Sequence, residues 1–209
     1  MSRPEAIRVL VADDHPVVCS GLSAIISTQP DMTIVAEAAN GNEAVALFRQ
    51  HQPDITLMDL RMPEMGGVEA IHAIRKFSRH GGFIVLTTYQ GDEDIHRALV
   101  AGAQAYLLKG MPHAELIQAI RSVHAGLRYL PPAVLKSLAE RPPGMALSSR
   151  EMDILQLILR GLSNKQIAEE LGITEGTVKW HINIILSRLH VSDRTQAVIA
   201  SLQRGILEL

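Results

Sequence analysis

The sequence predicts an open, doubly wound α/β sheet of five parallel strands, followed by an all-α module of four helices. Three observations lead there. Residues 6–125 alternate short apolar runs with segments of helical spacing. The runs are apolar on nearly consecutive positions, as strands buried on both faces are. After residue 148 no run of this kind recurs and only helical spacing remains.

The five runs are IRVLVA (7–12), MTIVAEA (32–38), DITLMDL (54–60), FIVLTT (83–88) and AYLLK (105–109). Between them Val18, Leu22, Ile25 and Ile26, then Ala44, Leu47 and Phe48, mark helical faces. Gln29-Pro30, Asn40-Gly41, Gln52-Pro53 and Gly81-Gly82 separate the units. Strand order 2-1-3-4-5 is the common arrangement for a sheet of this size. Pro16 suits a first helical position, so His15 is read as structural at the start of helix 1, with a place near the acidic residues as the alternative. A short apolar helix is expected at roughly 132–140, and Pro142-Pro143-Gly144 marks the joint between domains. The predicted organisation is therefore residues 1–125, a linker at 126–146, and 147–209.

Composition narrows the function. The 209 residues are 47% hydrophobic and 20% charged, enough for packed cores and too apolar for wholesale disorder. Twenty Lys and Arg stand against 22 Asp and Glu, which excludes a globally basic nucleic-acid coat. The balance is 13 basic and 15 acidic residues up to Gly144, then seven of each. Cys19, the single cysteine, builds neither a disulfide nor a thiolate zinc site. No stretch reaches the roughly 18 apolar residues of a membrane span, so a cytoplasmic protein with no membrane partner is expected.

The chemistry gathers at strand ends. Asp13 and Asp14 follow strand 1, Asp59 ends strand 3, Thr87 ends strand 4 and Lys109 closes strand 5. Carboxyl ends of a doubly wound sheet share one edge, where ligands bind. Three carboxylates there repel unless a cation sits among them. Oxygen donors favour a hard ion, Mg²⁺ above all, with Mn²⁺ able to substitute. Lysine and threonine beside them suit a phosphoryl group, and an aspartate can be its acceptor. Singly, each residue has a plainer reading: Asp13-Asp14 a helix cap, Asp59 a turn cap, Lys109 a surface charge, Tyr106 packing.

Together, LVADDHPVV, LMDLRMPEMGG, VLTT and AYLLKG resemble the motifs of a two-component response-regulator receiver domain over residues 6–125. The resemblance implies a flavodoxin-like receiver with Asp59 as phosphoacceptor. Asp14 and Asp59 would be metal ligands, Asp13 would orient metal-bound water, and the backbone carbonyl of Arg61 would add a further ligand. Thr87 and Tyr106 match the switch hydroxyl and aromatic, and Lys109 the lysine that contacts the phosphoryl group. Gly110 stands where many receivers carry proline. Arg61 and Tyr89, two residues beyond Asp59 and Thr87, are bulky, which predicts slow autodephosphorylation.

The C-terminal stretch is read in the same way. Ser148 with Glu151 forms a capping box for the first helix, and Ser163 caps the second. Gly172-Ile173-Thr174 makes a tight turn before a helix starting at Glu175, a helix-turn-helix signature. Val178, Ile182, Ile185 and Leu189 make its inward stripe, leaving Gly176, Lys179, Trp180, Asn183 and Ser187 outside. Lysine and amide side chains there could read base edges. Lys165, Thr177, Arg188 and Arg194 could hold the phosphate backbone. A solvated bundle is the plainer alternative, but an outward tryptophan has no folding reason. GLSNKQIAEELGITEGTVKWHINIILSRLHV resembles the LuxR-type DNA-binding domain over residues 147–206. On the last helix Ala197 and Ser201 are expected at a dimer contact, with Val198 and Leu202 in the core.

The resemblance of the whole chain to NarL/LuxR-type response regulators implies a transcription regulator rather than an enzyme. A sensor histidine kinase would phosphorylate Asp59, and a homodimer would bind double-stranded promoter DNA. A Mg²⁺-dependent phosphohydrolase is the runner-up. It would need a general acid near Asp59, and no second aspartate follows two residues later. A phosphorylation-independent DNA binder is the third reading.

Overall fold

The computed structural model describes residues 6–88, 91–140 and 147–207. Pro142-Pro143-Gly144 and Tyr89 therefore lie outside the described residues. The residues group into two compact units, a sheet unit that runs to Lys136 and a helical unit that takes up from Ser137 and also counts residues 91–94.

In the sheet unit, β1 (Ile7–Ala12), β2 (Met32–Ala38), β3 (Ile55–Met58), β4 (Gly82–Thr87) and β5 (Ala105–Leu108) alternate with α1 (Pro16–Ser27), α2 (Gly41–His51), α3 (Gly67–Arg75), α4 (Asp92–Ala101) and α5 (His113–His124). The strands lie in the order 2-1-3-4-5, all parallel, as the apolar runs predict. Every side chain of β3 and β4 is buried, which is why their sequences show no alternation. Val9, Val11, Leu57, Ile84 and Leu107 pack on Leu22 and Ile26 of α1 and on Leu116 and Ile120 of α5. The other face meets α2 and α3, where Phe48 stacks on Phe83 at 5.7 Å between ring centroids.

Local signals set the helix boundaries. Pro16 opens α1, the Asn40 side chain accepts from the Glu43 N–H at the start of α2, and Gln52 ends α2 in a left-handed conformation. Strand 3 is shorter than the run 54–60. It stops at Met58, so Asp59 and Leu60 belong to the loop that leaves the sheet edge. Gly67 opens α3 directly against that loop, and a Cβ there would run into the Asp59 carbonyl oxygen. A short helix, α6, covers Pro132–Glu140 as expected.

The helical unit contains α7 (Ser149–Leu159), α8 (Asn164–Leu171), α9 (Glu175–Leu189) and α10 (Arg194–Gln203). Ser148 and Glu151 form the expected capping box, and Ser163 with Gln166 forms a second one. Gly172, at φ +63°, closes α8, and Thr174 caps α9 two residues later. Ile154, Leu155, Ile158, Ile167, Val178, Ile185 and Leu189 form the shared core, and Ile182 packs at its margin. The last helix ends at Gln203.

Candidate functional site: an acidic pocket and a helix with an exposed polar side

The β1 and β3 backbones carry Asp13 and Asp59 to the same point, since the Asp59 N–H bonds the Ala12 carbonyl at 2.8 Å. Both carboxylates are buried, and Asp14 is half-buried. One ligand atom each from Asp13, Asp14, His15 and Asp59 falls within 4.8 Å of the others. Lys109 arrives from the end of β5, where its N–H bonds the Thr87 carbonyl at 2.8 Å. Its Nζ lies 2.7 Å from Asp13 Oδ2 and 2.6 Å from Asp59 Oδ2. Burial works against the lysine's charge, but hydrogen bonds and the charges of Asp13 and Asp59 outweigh it and hold its pKa above the ordinary value. Asp59 Oδ1 accepts from the Leu60 N–H at 2.7 Å, so both oxygens of this carboxylate are fixed in direction. Thr87 is fully buried at the end of β4, and Tyr106 is the largest fully buried side chain of the sheet.

The donor set fits a divalent cation. Asp14 Oδ1 is sealed from solvent with no hydrogen bond of good geometry, although His15 Nδ1 lies 2.8 Å away. A buried carboxylate oxygen left this way is costly unless a cation or water completes it. Beneath the cluster the Cys19 thiol bonds the Asp13 carbonyl at 3.4 Å. Burial and then the negative charge of Asp13 push its pKa up, which makes it a poor competing ligand.

In the helical unit, α9 shows one apolar and one polar side. Lys179, Trp180, Asn183 and Ser187 are all exposed, Trp180 at 60%. The Trp180 ring meets the His181 ring in a T-shaped arrangement, at 4.7 Å between centroids. The N–H of Thr177 bonds Thr174 Oγ1, and the two hydroxyls are 2.9 Å apart. Lys165 is exposed near the start of α8.

Residues 9–121 match the response regulator receiver domain, and residues 145–201 match the bacterial regulatory proteins of the luxR family. The response regulator protein VraR of Staphylococcus aureus (strain NCTC 8325 / PS 47) is 41% identical over 207 residues, covering 97% of this chain and 99% of VraR. The chain belongs to the LuxR-type response regulators. A crystal structure of the response regulator ChrA, from a heme-sensing two-component system, is 39% identical, with a TM-score of 0.58 over 97% of this chain and 99% of that one. RcsB of Salmonella enterica serovar Typhimurium, solved on promoter DNA with a phosphomimetic, shares the fold at 22% identity. Its TM-score is 0.73, over 94% of this chain and 98% of RcsB. Membership in this family makes the protein a transcription regulator and removes the phosphohydrolase reading. Among the described residues no helix is long and apolar enough to cross a membrane.

The structure of this response regulator corrects three expectations. Arg188 is not free for DNA phosphates. Its Nη1 pairs at 2.6 Å with Oε2 of buried Glu151, the oxygen that also accepts the Ser148 N–H. Arg194 likewise donates to the Leu162 carbonyl at 2.7 Å and clamps α10 to the α7–α8 turn. Ala197 and Ser201 do not face outward. Ala197 is part of the helical core, and buried Ser201 donates its hydroxyl to the Ala197 carbonyl. Val198 and Leu202 line the core margin as expected, while Ile199 is the large apolar residue that α10 exposes. Sequence reasoning missed Glu151 as the partner of Arg188, 37 residues away. It favoured a structural His15 over the alternative, a place near the acidic pocket, and the structure puts His15 Nδ1 2.8 Å from Asp14 Oδ1.

Proposed function

We propose that this protein is a phosphorylation-controlled, DNA-binding transcription regulator whose phosphoacceptor is Asp59. The receiver would span 1–125, a linker 126–146 and the DNA-binding domain 147–209. The observation that carries the reading is the position of the Asp59 carboxylate, beside Asp13 and Asp14 and 2.6 Å from Lys109 Nζ.

In this reading a sensor histidine kinase presents a phosphohistidine. An Asp59 oxygen attacks phosphorus, the P–N bond breaks, and the imidazole leaves with the bonding pair as an acyl phosphate forms. Asp13, Asp14, Asp59 and the Arg61 carbonyl would hold Mg²⁺, or Mn²⁺ in its place, which supplies charge neutralisation for the phosphoryl oxygens. Lys109 already bonds Asp59 Oδ2, so it would follow the charge from carboxylate to phosphoryl oxygen without crossing the pocket. The Thr87 hydroxyl would accompany it. Tyr106, already buried, would register the change on the β4–β5 side. The modified protein would pair into a homodimer in the cytoplasm. It would lay two α9 helices in the major groove of double-stranded promoter DNA. Lys179, Trp180, Asn183 and Ser187 would face base edges, while Lys165 and Thr177 hold phosphates.

The test is a small phosphoryl donor such as phosphoramidate with Mg²⁺, read by intact mass and by binding to DNA selected from a random pool. The expected result is one phosphoryl group per chain, none on Asp59→Asn, and tighter DNA binding only for the labelled protein. Equal DNA affinity of wild type and Asp59→Asn under these conditions would favour the phosphorylation-independent reading instead.

A further inference from the structure

Among the described residues of α9, Trp180 is the one large apolar side chain left in the open. It stands on the polar side of the helix with Lys179 and Asn183, where an indole gains nothing from folding. Its contact with the His181 ring is T-shaped, 70° between planes, and half-buried His181 thereby holds the indole in one direction. One helical turn earlier on the same face stands Gly176. Apart from its chain neighbours and the helix backbone, a Cβ added at Gly176 would meet Thr174 Oγ1 at 3.6 Å and no other described atom within 4 Å, the indole included. A methyl-sized notch therefore lies open on the N-terminal side of the ring, on a helix side that is otherwise polar.

We infer that Trp180 is a specificity-determining residue that reads the C5-methyl group of thymine in the major groove. The inference rests on the DNA-binding reading of α9 above and deepens it by naming the base chemistry. In a B-form duplex the faces of the bases are stacked out of reach, and the major groove offers their edges. Those edges carry hydrogen-bond donors and acceptors, and their one apolar group is the thymine methyl. Lys179 and Asn183 match the donors and acceptors. An indole laid against those atoms would strip them of water with a single N–H in return, which is costly. Laid against a methyl, it takes apolar surface out of water on both sides. His181 fixes the ring before binding, so little side-chain freedom is left to lose. The missing side chain at Gly176 lets the methyl approach from the N-terminal end of α9, the end that recognition helices turn toward base edges.

The experiment uses the full chain, treated with phosphoramidate and Mg²⁺, and duplex DNA selected from a random pool, at one fixed salt concentration. Each thymine of the selected site is replaced in turn by deoxyuridine, which keeps every hydrogen-bonding atom and lacks only the methyl. Wild type is expected to lose about three- to fivefold in affinity at a thymine of each half-site, the worth of one buried methyl. Trp180→Ala is expected to bind the thymine and uracil duplexes equally. Trp180→Phe is expected to keep a discrimination of about twofold or more, since a phenyl ring has the apolar face without the N–H. Trp180 is exposed, so both variants should fold, which circular dichroism checks. A selected site without thymine, wild type blind to every replacement, or a penalty that persists in Trp180→Ala would overturn the inference and leave the DNA-binding reading intact. Discrimination lost as fully in Trp180→Phe as in Trp180→Ala would assign the contact to the indole N–H and overturn it too. Wild type that selects no duplex from the pool would overturn both.

Discussion

Lys109 is the residue on which the resting pocket depends. Two buried carboxylates face its ammonium, and without it they would face each other. Lys109→Met is expected to lower the stability of the sheet unit by about 2–4 kcal/mol, because breaking a buried pair strands a charge. Millimolar Mg²⁺ should restore more of that loss in the variant than it adds to wild type, as urea titrations with and without the ion would show. Asp59→Asn should instead leave stability unchanged or slightly raised, since it removes one of the two repelling charges. The pH dependence follows from the raised lysine pKa. The folded state keeps this proton longer than the unfolded chain does. The contribution is therefore complete below the free lysine value of about 10.4 and is lost as pH climbs through the folded one. Alkaline unfolding of wild type should be steeper than that of Lys109→Met over that range.

At the scale of elements, α9 carries two kinds of basic residue that DNA-binding measurements can separate. Lys179 is exposed, whereas Arg188 is tied to Glu151. Lys179→Ala should weaken binding and reduce the salt slope of log K by about one. Arg188→Ala should leave the slope of the folded fraction unchanged while costing the helical unit about 1–3 kcal/mol, since Glu151 is buried but Arg188 is partly in solvent, measured by denaturant titration. The same helix shows where sequence reasoning succeeds and where it stops. Val178, Ile185 and Leu189 announce the buried side by their spacing. The strands announce themselves equally well, because continuous burial leaves a continuous apolar run. The positions of Asp13, Asp59 and Lys109 at one edge then follow from strand order. An ion pair spanning 37 residues leaves no periodic trace, so Arg188 reads as a surface cation. Ala197 and Ser201 are small enough to pass for either face of α10, and only the packing of α7 and α9 against it decides. The His15 ring meets Asp13 and Asp14 through contacts in a loop that no spacing encodes.

For the whole molecule, the two compact units imply two stabilities that respond to different ligands. A divalent cation binds only the sheet unit in the proposed function. A hundredfold excess over its dissociation constant should therefore raise that unit's stability by about 2.7 kcal/mol and leave the α7–α10 unit unmoved. Chemical denaturation followed by Trp180 fluorescence for the helical unit, and by hydrogen exchange of β1 and β3 amides for the sheet, would resolve the two. A shift of the Trp180 transition equal to that of the sheet would contradict independent ligand responses.

Gly67 extends the pocket's requirements beyond its charged groups. The hydrogen it carries in place of a methyl is what allows α3 to start against the Asp59 carbonyl oxygen. Alanine at that position would have to push the Asp59 main chain sideways, and in the proposed function, where Asp59 is the nucleophile, a displacement of even an ångström can lose about a hundredfold in rate. In the proposed function the capacity to receive a signal is thus hostage to a residue with no functional group, and Gly67→Ala should deafen the protein while its carboxylates and lysine all remain.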